Sequence, residues 1–164
     1  MEDKKKMALK ALQEADIPYE IVEHPAVYTI EEMDLLDISF DQGEIVKNLF
    51  LRDEKGRRHF LVVLGKDKKV NLKELKAKLA TSNLGFASEE RLQKYLNLEK
   101  GSVTPLGVFY DSENAVEVIF DEDLCQLKMI GVHPNVNTAT VWITYQGLLQ
   151  FMERYHHEIK QIHI

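Results

Sequence analysis

Ile45-Val46-Lys47-Asn48-Leu49-Phe50-Leu51-Arg52, followed after the polar Asp53-Glu54-Lys55-Gly56 by His59-Phe60-Leu61-Val62-Val63-Leu64, is the stretch that decides the fold class. Both runs are rich in β-branched and aromatic residues, and the tetrapeptide between them has hairpin-loop character, so a pair of strands is expected. Working outward, the N-terminal side reads as an amphipathic helix over residues 2–15 that ends at Asp16-Ile17-Pro18. A short strand 19–23 follows, broken by His24-Pro25, and Thr29 with Glu32 has the capping-box spacing that opens a second short helix. On the C-terminal side Asn71 and Ser88 have the position of N-caps for helices reaching about residues 79 and 96. Beyond them come strand candidates at 107–110, 116–120, 128–132 and 138–144, a helix over 146–157 and a last strand over 158–162. Helices that do not strictly alternate with strands imply an α+β domain built on a mixed sheet, not a doubly wound one.

Bulk properties narrow the class. The chain has 164 residues with 45% hydrophobic and 29% charged side chains, an ordinary globular composition. No repeat, low-complexity tract or Pro/Gly/Ser linker divides it, so one domain over 1–164 is expected. A single cysteine, Cys125, excludes an internal disulfide framework and a thiolate-rich zinc site. No apolar segment follows Met1-Glu2-Asp3-Lys4-Lys5-Lys6, and no window approaches the ~20 apolar residues of a spanning helix. A cytoplasmic protein with no membrane contact is the expectation. A net charge of −6 argues against a broad nucleic-acid surface, DNA included, yet leaves room for a local contact. Residues 66–78 hold six lysines against Asp67 and Glu74, a balance of +4 that leaves −10 for the remainder. Lys69, Lys73 and Lys76 in this cluster are either candidate contacts for a phosphate backbone or an ordinary solvated helix face.

Three places could carry chemistry. Lys47 shares one strand face with Ile45, Leu49 and Leu51, which sets an ammonium among aliphatics. It is either a sheet-edge lysine that blocks aggregation or a cation that must find an anion. In Gly101-Ser102-Val103-Thr104-Pro105 the glycine permits unusual φ values, so that successive N–H groups can converge on an oxygen; the same pattern also suits an ordinary connection. Gly131-Val132-His133-Pro134-Asn135-Val136-Asn137-Thr138-Ala139-Thr140 gathers an imidazole, amides and hydroxyls between apolar strands, as a pocket or as a self-satisfied turn. His156, His157 and His163 lack carboxylates at ligand spacing and are expected at the surface.

Taken together, five segments in order resemble the YbaK and prolyl-tRNA editing domain family. They are Glu23-His24-Pro25, Val46-Lys47-Asn48-Leu49-Phe50-Leu51, Phe86-Ala87-Ser88-Glu89-Glu90-Arg91-Leu92, Gly101-Ser102-Val103-Thr104-Pro105-Leu106-Gly107, and His133-Pro134 with Asn137-Thr138-Ala139-Thr140. The resemblance implies a mixed, mainly antiparallel, barrel-like sheet surrounded by helices, with a pocket between the lysine strand and the glycine-proline loop. It implies hydrolysis of the ester of wrongly charged aminoacyl-tRNA, with Lys47, Gly101, Ser102 and Val103 as catalytic residues. Asn48, Thr104, Pro105, His133, Pro134 and Asn137 are implied to bind substrate. Lys47 followed by Asn48 is similar to the free-standing prolyl-tRNA editing branch, whereas the branch that removes cysteine typically has threonine there. That favours Ala-tRNA(Pro) over Cys-tRNA(Pro), with a non-catalytic tRNA- or synthetase-binding module as the distant alternative. The implied partners are the acceptor end of tRNA(Pro) and prolyl-tRNA synthetase. No metal or other cofactor is implied. One departure stands out: the family commonly has an aliphatic residue after His-Pro, where this chain has Asn135.

Overall fold

The computed structural model describes residues 2–36 and 38–164. The two runs quoted first form strands β2 (Gly43–Arg52) and β3 (His59–Gly65). They pair antiparallel in unbroken register from Val46 opposite Gly65 to Arg52 opposite His59. In the loop, Asp53 Oδ1 accepts from the N–H groups of Arg57 and Arg58 at 2.8 and 3.1 Å, and Gly56 takes φ +68°. Every residue of β3 is buried, as for a central strand covered on both faces.

Helices α1 (Glu2–Glu14), α2 (Ile30–Leu35), α3 (Leu72–Leu79), α4 (Glu89–Leu96) and α5 (Tyr145–Arg154) supply the cover. Val46, Phe50, Leu61 and Val63 pack with Leu12 of α1, Leu92 and Leu96 of α4, and Leu148 and Phe151 of α5. On the opposite face Leu51, Phe60, Val62 and Leu64 meet Leu75 and Leu79 of α3. Three expected caps form: Thr29, Asn71 and Ser88 accept from backbone N–H groups at the starts of α2, α3 and α4.

The remaining strands are β1 (Glu20–Glu23), β4 (Gly85–Phe86), β5 (Val116–Asp121), β6 (Met129–Val132), β7 (Ala139–Ile143) and β8 (Ile159–Ile162). The sheet runs β1-β7-β6-β2-β3-β5-β8, with β4 paired to β2. Four pairings are antiparallel and three parallel, so the sheet is mixed as expected. Among the described residues no pairing joins β1 to β8.

Two expectations fail for identifiable reasons. Residues 107–110 look β-prone, but they belong to a 3-10 helix, Pro105–Tyr110. Thr104 caps it, accepting from Leu106 N–H at 3.3 Å, and Pro105 supplies a φ already suited to a helical first turn. Helix α5 stops at Arg154, three residues early, where His156 turns the chain at φ +62°. His157 therefore points inward. It is 3% exposed and bonds Asp111 at 2.8 Å, whereas His156 and His163 are exposed as expected. Asp111 lies 46 residues away in the chain, beyond any local pattern.

Candidate active site

The site is a gap in the sheet. Along the edge of β2 that faces away from β3, residues 43–45 pair with β6 and residues 51–52 pair with β4. Between them, among the described residues, no strand pairs with residues 46–50 on this edge, although the Phe50 carbonyl accepts from Ala87 N–H at 2.9 Å. Backbone groups alternate edges along a strand, and the β2–β3 register has no bulge. The N–H and C=O groups of Val46 and Asn48 thus point the same way as the Phe50 carbonyl, into the gap.

The Gly101 loop and residues 27–33 stand against this edge and leave a cleft of about 170 Å³. Its apolar wall includes Ile30, Met33, Ile45 and Val132, and its polar groups come from Lys47, Asn48, His133 and Thr140. Lys47 shares the face of Leu49 and Leu51, as its spacing predicts, and its ammonium donates to the carbonyl of Lys68. Two of its three donors remain. Asn48 Oδ1 is buried without a donor in the described protein.

His133 is half-buried, and its Nδ1 lies 3.0 Å from the Ala139 carbonyl. A carbonyl can only accept, so Nδ1 carries the proton and Nε2 keeps its lone pair. Burial pushes the pKa of His133 below the ordinary histidine value, a shift that the Ala139 bond opposes and His24 reinforces. The ring is a neutral acceptor at physiological pH. Beside it, with ring centroids 6.2 Å apart, His24 bonds Thr140 Oγ1 through Nε2 and the Pro25 carbonyl through Nδ1, each at 2.9 Å.

Gly101 is required twice over. It adopts φ +86°, and a Cβ there would stand 2.8 Å from Tyr28 Cδ1 and 3.3 Å from Tyr28 Cα. In its loop, Ser102 N–H is spent on the Glu99 carbonyl at 3.0 Å, Pro105 has no N–H, and the N–H groups of Leu106 and Gly107 bond Thr104. Among the described residues the N–H groups of Gly101 and Val103 have no protein acceptor, and both residues line the cleft.

Of the residues singled out from the sequence, the structure brings Lys47, Asn48, Gly101, Val103 and His133 to one cleft. It sets Ser102, Thr104, Pro105, Pro134 and Asn137 behind the wall, all buried. Asn137 has a positioning task there: its Nδ2 donates to the Val27 carbonyl at 2.8 Å while its own carbonyl accepts from Val27 N–H at 3.2 Å. Asn135 does not line the cleft; it occupies a left-handed turn position at φ +63°, which asparagine tolerates better than an aliphatic residue. Sequence reasoning placed Thr140 in the stretch read as a pocket or a turn and quoted His24 only within a family motif, and it missed residues 27–33 as a wall of the site. The Thr29 capping box was the signal that fell within that wall.

The lysine cluster is less positive in space than in sequence. Lys66 pairs with Asp34 at 2.8 Å, and Lys68 lies 2.6 Å from both Asp121 and Asp123, so three carboxylates answer the local +4. Lys76 bonds Asn83 at 2.7 Å, and Lys69 and Lys73 are exposed. Outside the cleft, Glu122, Asp123 and His163 bring ligand atoms within 4.8 Å of one another, but the Lys68 ammonium already occupies Asp123. No described helix is long and apolar enough to cross a membrane.

Residues 24–151 match the aminoacyl-tRNA editing domain family. The prolyl-tRNA editing protein ProX of Acetoanaerobium sticklandii is 48% identical over 99% of this chain and 98% of its own length. The chain belongs to the aminoacyl-tRNA editing domain family. The prolyl-tRNA synthetase associated domain-containing protein 1 of Danio rerio is 39% identical to this editing domain over 94% of the chain and 84% of that protein. A crystal structure described as a candidate trans-editing enzyme for prolyl tRNA synthetase shares the fold, with a TM-score of 0.72 at 20% identity over 98% of this chain and 97% of that one. The α+β fold with a mixed sheet implied by the sequence is the one that this structural neighbour shares.

Proposed function

We propose that this editing domain acts in trans as an aminoacyl-tRNA deacylase, hydrolysing the ester of mischarged tRNA(Pro), with alanine as the amino acid removed. The observation that carries the reading is the unpaired stretch of β2, where Lys47 and Asn48 line one aliphatic-walled cleft with Gly101 and Val103, whose N–H groups have no acceptor among the described residues. The family, and the 48% identical relative named as a prolyl-tRNA editing protein, support editing of mischarged tRNA(Pro).

Hydrolysis adds water to the ester carbonyl carbon and builds negative charge on the carbonyl oxygen. The N–H groups of Gly101 and Val103 receive that charge. Lys47 orients the ribose with its two remaining donors, and Asn48 Oδ1 takes a hydrogen bond from a ribose hydroxyl. The neutral His133 accepts from the α-ammonium of the amino acid, with the Thr140 hydroxyl beside it. The vicinal ribose hydroxyl activates the water, the acyl–oxygen bond breaks, and the ribose oxygen leaves with a proton. The products are free amino acid and uncharged tRNA.

Selectivity follows from shape: the side chains of Ile30, Met33 and Val132 on the cleft wall accommodate a methyl group and turn away the bulkier pyrrolidine ring of proline. Prolyl-tRNA synthetase is the proposed source of the substrate. The test is release of radiolabelled amino acid from Ala-, Cys- and Pro-tRNA(Pro): alanine is expected to be released fastest, and release of proline at a comparable rate overturns the reading.

A further inference from the structure

A second cleft, of about 390 Å³, shares Asn48, Gly101 and Val103 with the first. Its chemistry is different. Phe86 stands on its wall in the two-residue strand β4, with 63% of its surface exposed. Lys100, the chain neighbour of Gly101, lines it as well, and Glu89 is the acidic residue of the lining. An exposed aromatic ring and a lysine lining the same cleft are what recognition of an unstacked nucleobase and its phosphate uses. Nothing in ester hydrolysis itself calls for either group.

We infer that this second cleft seats the terminal nucleoside of the aminoacyl-tRNA, with the base stacked on Phe86 and the 5′-phosphate at Lys100. The inference rests on the deacylase reading and follows from the covalent order of such a substrate. The amino acid, the ester carbonyl and the ribose are joined in series, so when the carbonyl meets Gly101 and Val103 the ribose leaves by whichever cleft the amino acid does not fill. The smaller, aliphatic one suits a methyl group, and the larger one has room for a ribose and a base. Lys100 is one residue from the proposed oxyanion donor Gly101, and the 5′-phosphate sits on the same ribose as the ester. The carboxylate of Glu89 disfavours a phosphate near it and offers an acceptor to an exocyclic amino group, which adenine carries.

The full chain is titrated with the trinucleotide cytidylyl-cytidylyl-adenosine and followed through its backbone amide NMR signals, alongside Phe86→Ala, Phe86→Trp and Lys100→Ala. The largest shifts are expected at Phe86, Ala87, Lys100 and Gly101, with binding about tenfold weaker in Phe86→Ala and within about threefold of the parent in Phe86→Trp. In deacylation of Ala-tRNA(Pro), Phe86→Ala is expected to raise KM about tenfold while kcat stays within twofold. Shifts confined to other residues, or a Phe86→Ala protein that binds the trinucleotide like the parent, overturn the subsite. If the parent does not deacylate any aminoacyl-tRNA, the deacylase reading fails and the titration alone still decides this one.

Discussion

Gly101 and Tyr28 are in such close approach that a methyl group on Gly101 would stand 2.8 Å from the tyrosine ring. Tyr28 belongs to the segment that walls the cleft, and Gly101 supplies an amide N–H with no acceptor among the described residues. One glycine therefore sets both the position of the wall and the direction of a donor.

Gly101→Ala is expected to lower kcat/KM for Ala-tRNA(Pro) by about a hundredfold or more, the scale of losing an oxyanion donor. The φ of +86° adds backbone strain of about 1–3 kcal/mol to the folded state. Ser102→Ala retains the same backbone amide, already spent on Glu99, and is expected to stay within about threefold of the parent on a mutational scale where tenfold is 1.4 kcal/mol. Single-turnover deacylation with parallel thermal melts separates the two effects.

Acid is expected to slow the reaction through His133. Protonation would place a cation beside the α-ammonium, and burial keeps the pKa of this ring below the ordinary value of about 6.5. The acid limb of the kcat/KM profile is expected below pH 6.5 and should disappear in His133→Asn, at a lower plateau. A profile in His133→Asn with the parent's acid limb would remove His133 from the role given to it.

Stability should also fall as the solution is acidified. His59 is 1% exposed, and burial, with Arg91 beside it, lowers its pKa; the Arg91 guanidinium donates to its Nε2 at 3.0 Å. The unfolded chain then binds more protons than the folded one between the lowered pKa and about 6.5, so stability rises with pH across that window and is lost below it. Asp111 acts lower down. Burial alone would raise its pKa, but bonds from His157 and the amides of Val116 and Ala115 bring it below the ordinary value. Its contribution is present above about pH 4 and lost as the pH falls through the folded pKa. Urea unfolding at pH 7.5, 6.5 and 5.5 should show a declining midpoint, with a smaller decline in His59→Gln.

Asn137→Ala removes the buried amide that holds Val27 and is expected to cost about 1–3 kcal/mol through the unpaired Val27 carbonyl. A loosened wall should also relax size exclusion. Hydrolysis of Pro-tRNA(Pro) relative to Ala-tRNA(Pro) is expected to rise several-fold, measured as the ratio of their kcat/KM values.

What was legible in the sequence was local. The β2–β3 hairpin, the caps at Thr29, Asn71 and Ser88, and the placement of Lys47 on a strand face follow from patterns spanning a few residues. The family motifs added the pairing of Lys47 with the Gly101 loop, which no spacing rule reveals. What stayed hidden depends on partners far apart in the chain. The gap in the β2 edge exists because β6 and β4 pair on either side of it, the latter with only two residues. His24 meets Thr140 across 116 positions, and His157 meets Asp111 across 46. The residues near Gly107 have strand-like side chains, yet Thr104 and Pro105 impose a helical turn on them.

In the proposed reaction the β2 gap hydrolyses the ester of alanine, and not of proline, on tRNA(Pro), with Lys47 orienting the substrate. The most direct measurement is the release of radiolabelled amino acid from Ala-tRNA(Pro) and Pro-tRNA(Pro) by the parent and by Lys47→Ala. The expected result is rapid loss of alanine, retention of proline, and a rate at least about a hundredfold lower in Lys47→Ala, the scale of a group acting on the transition state. Untouched Ala-tRNA(Pro), or a Lys47→Ala protein as fast as the parent, would contradict it.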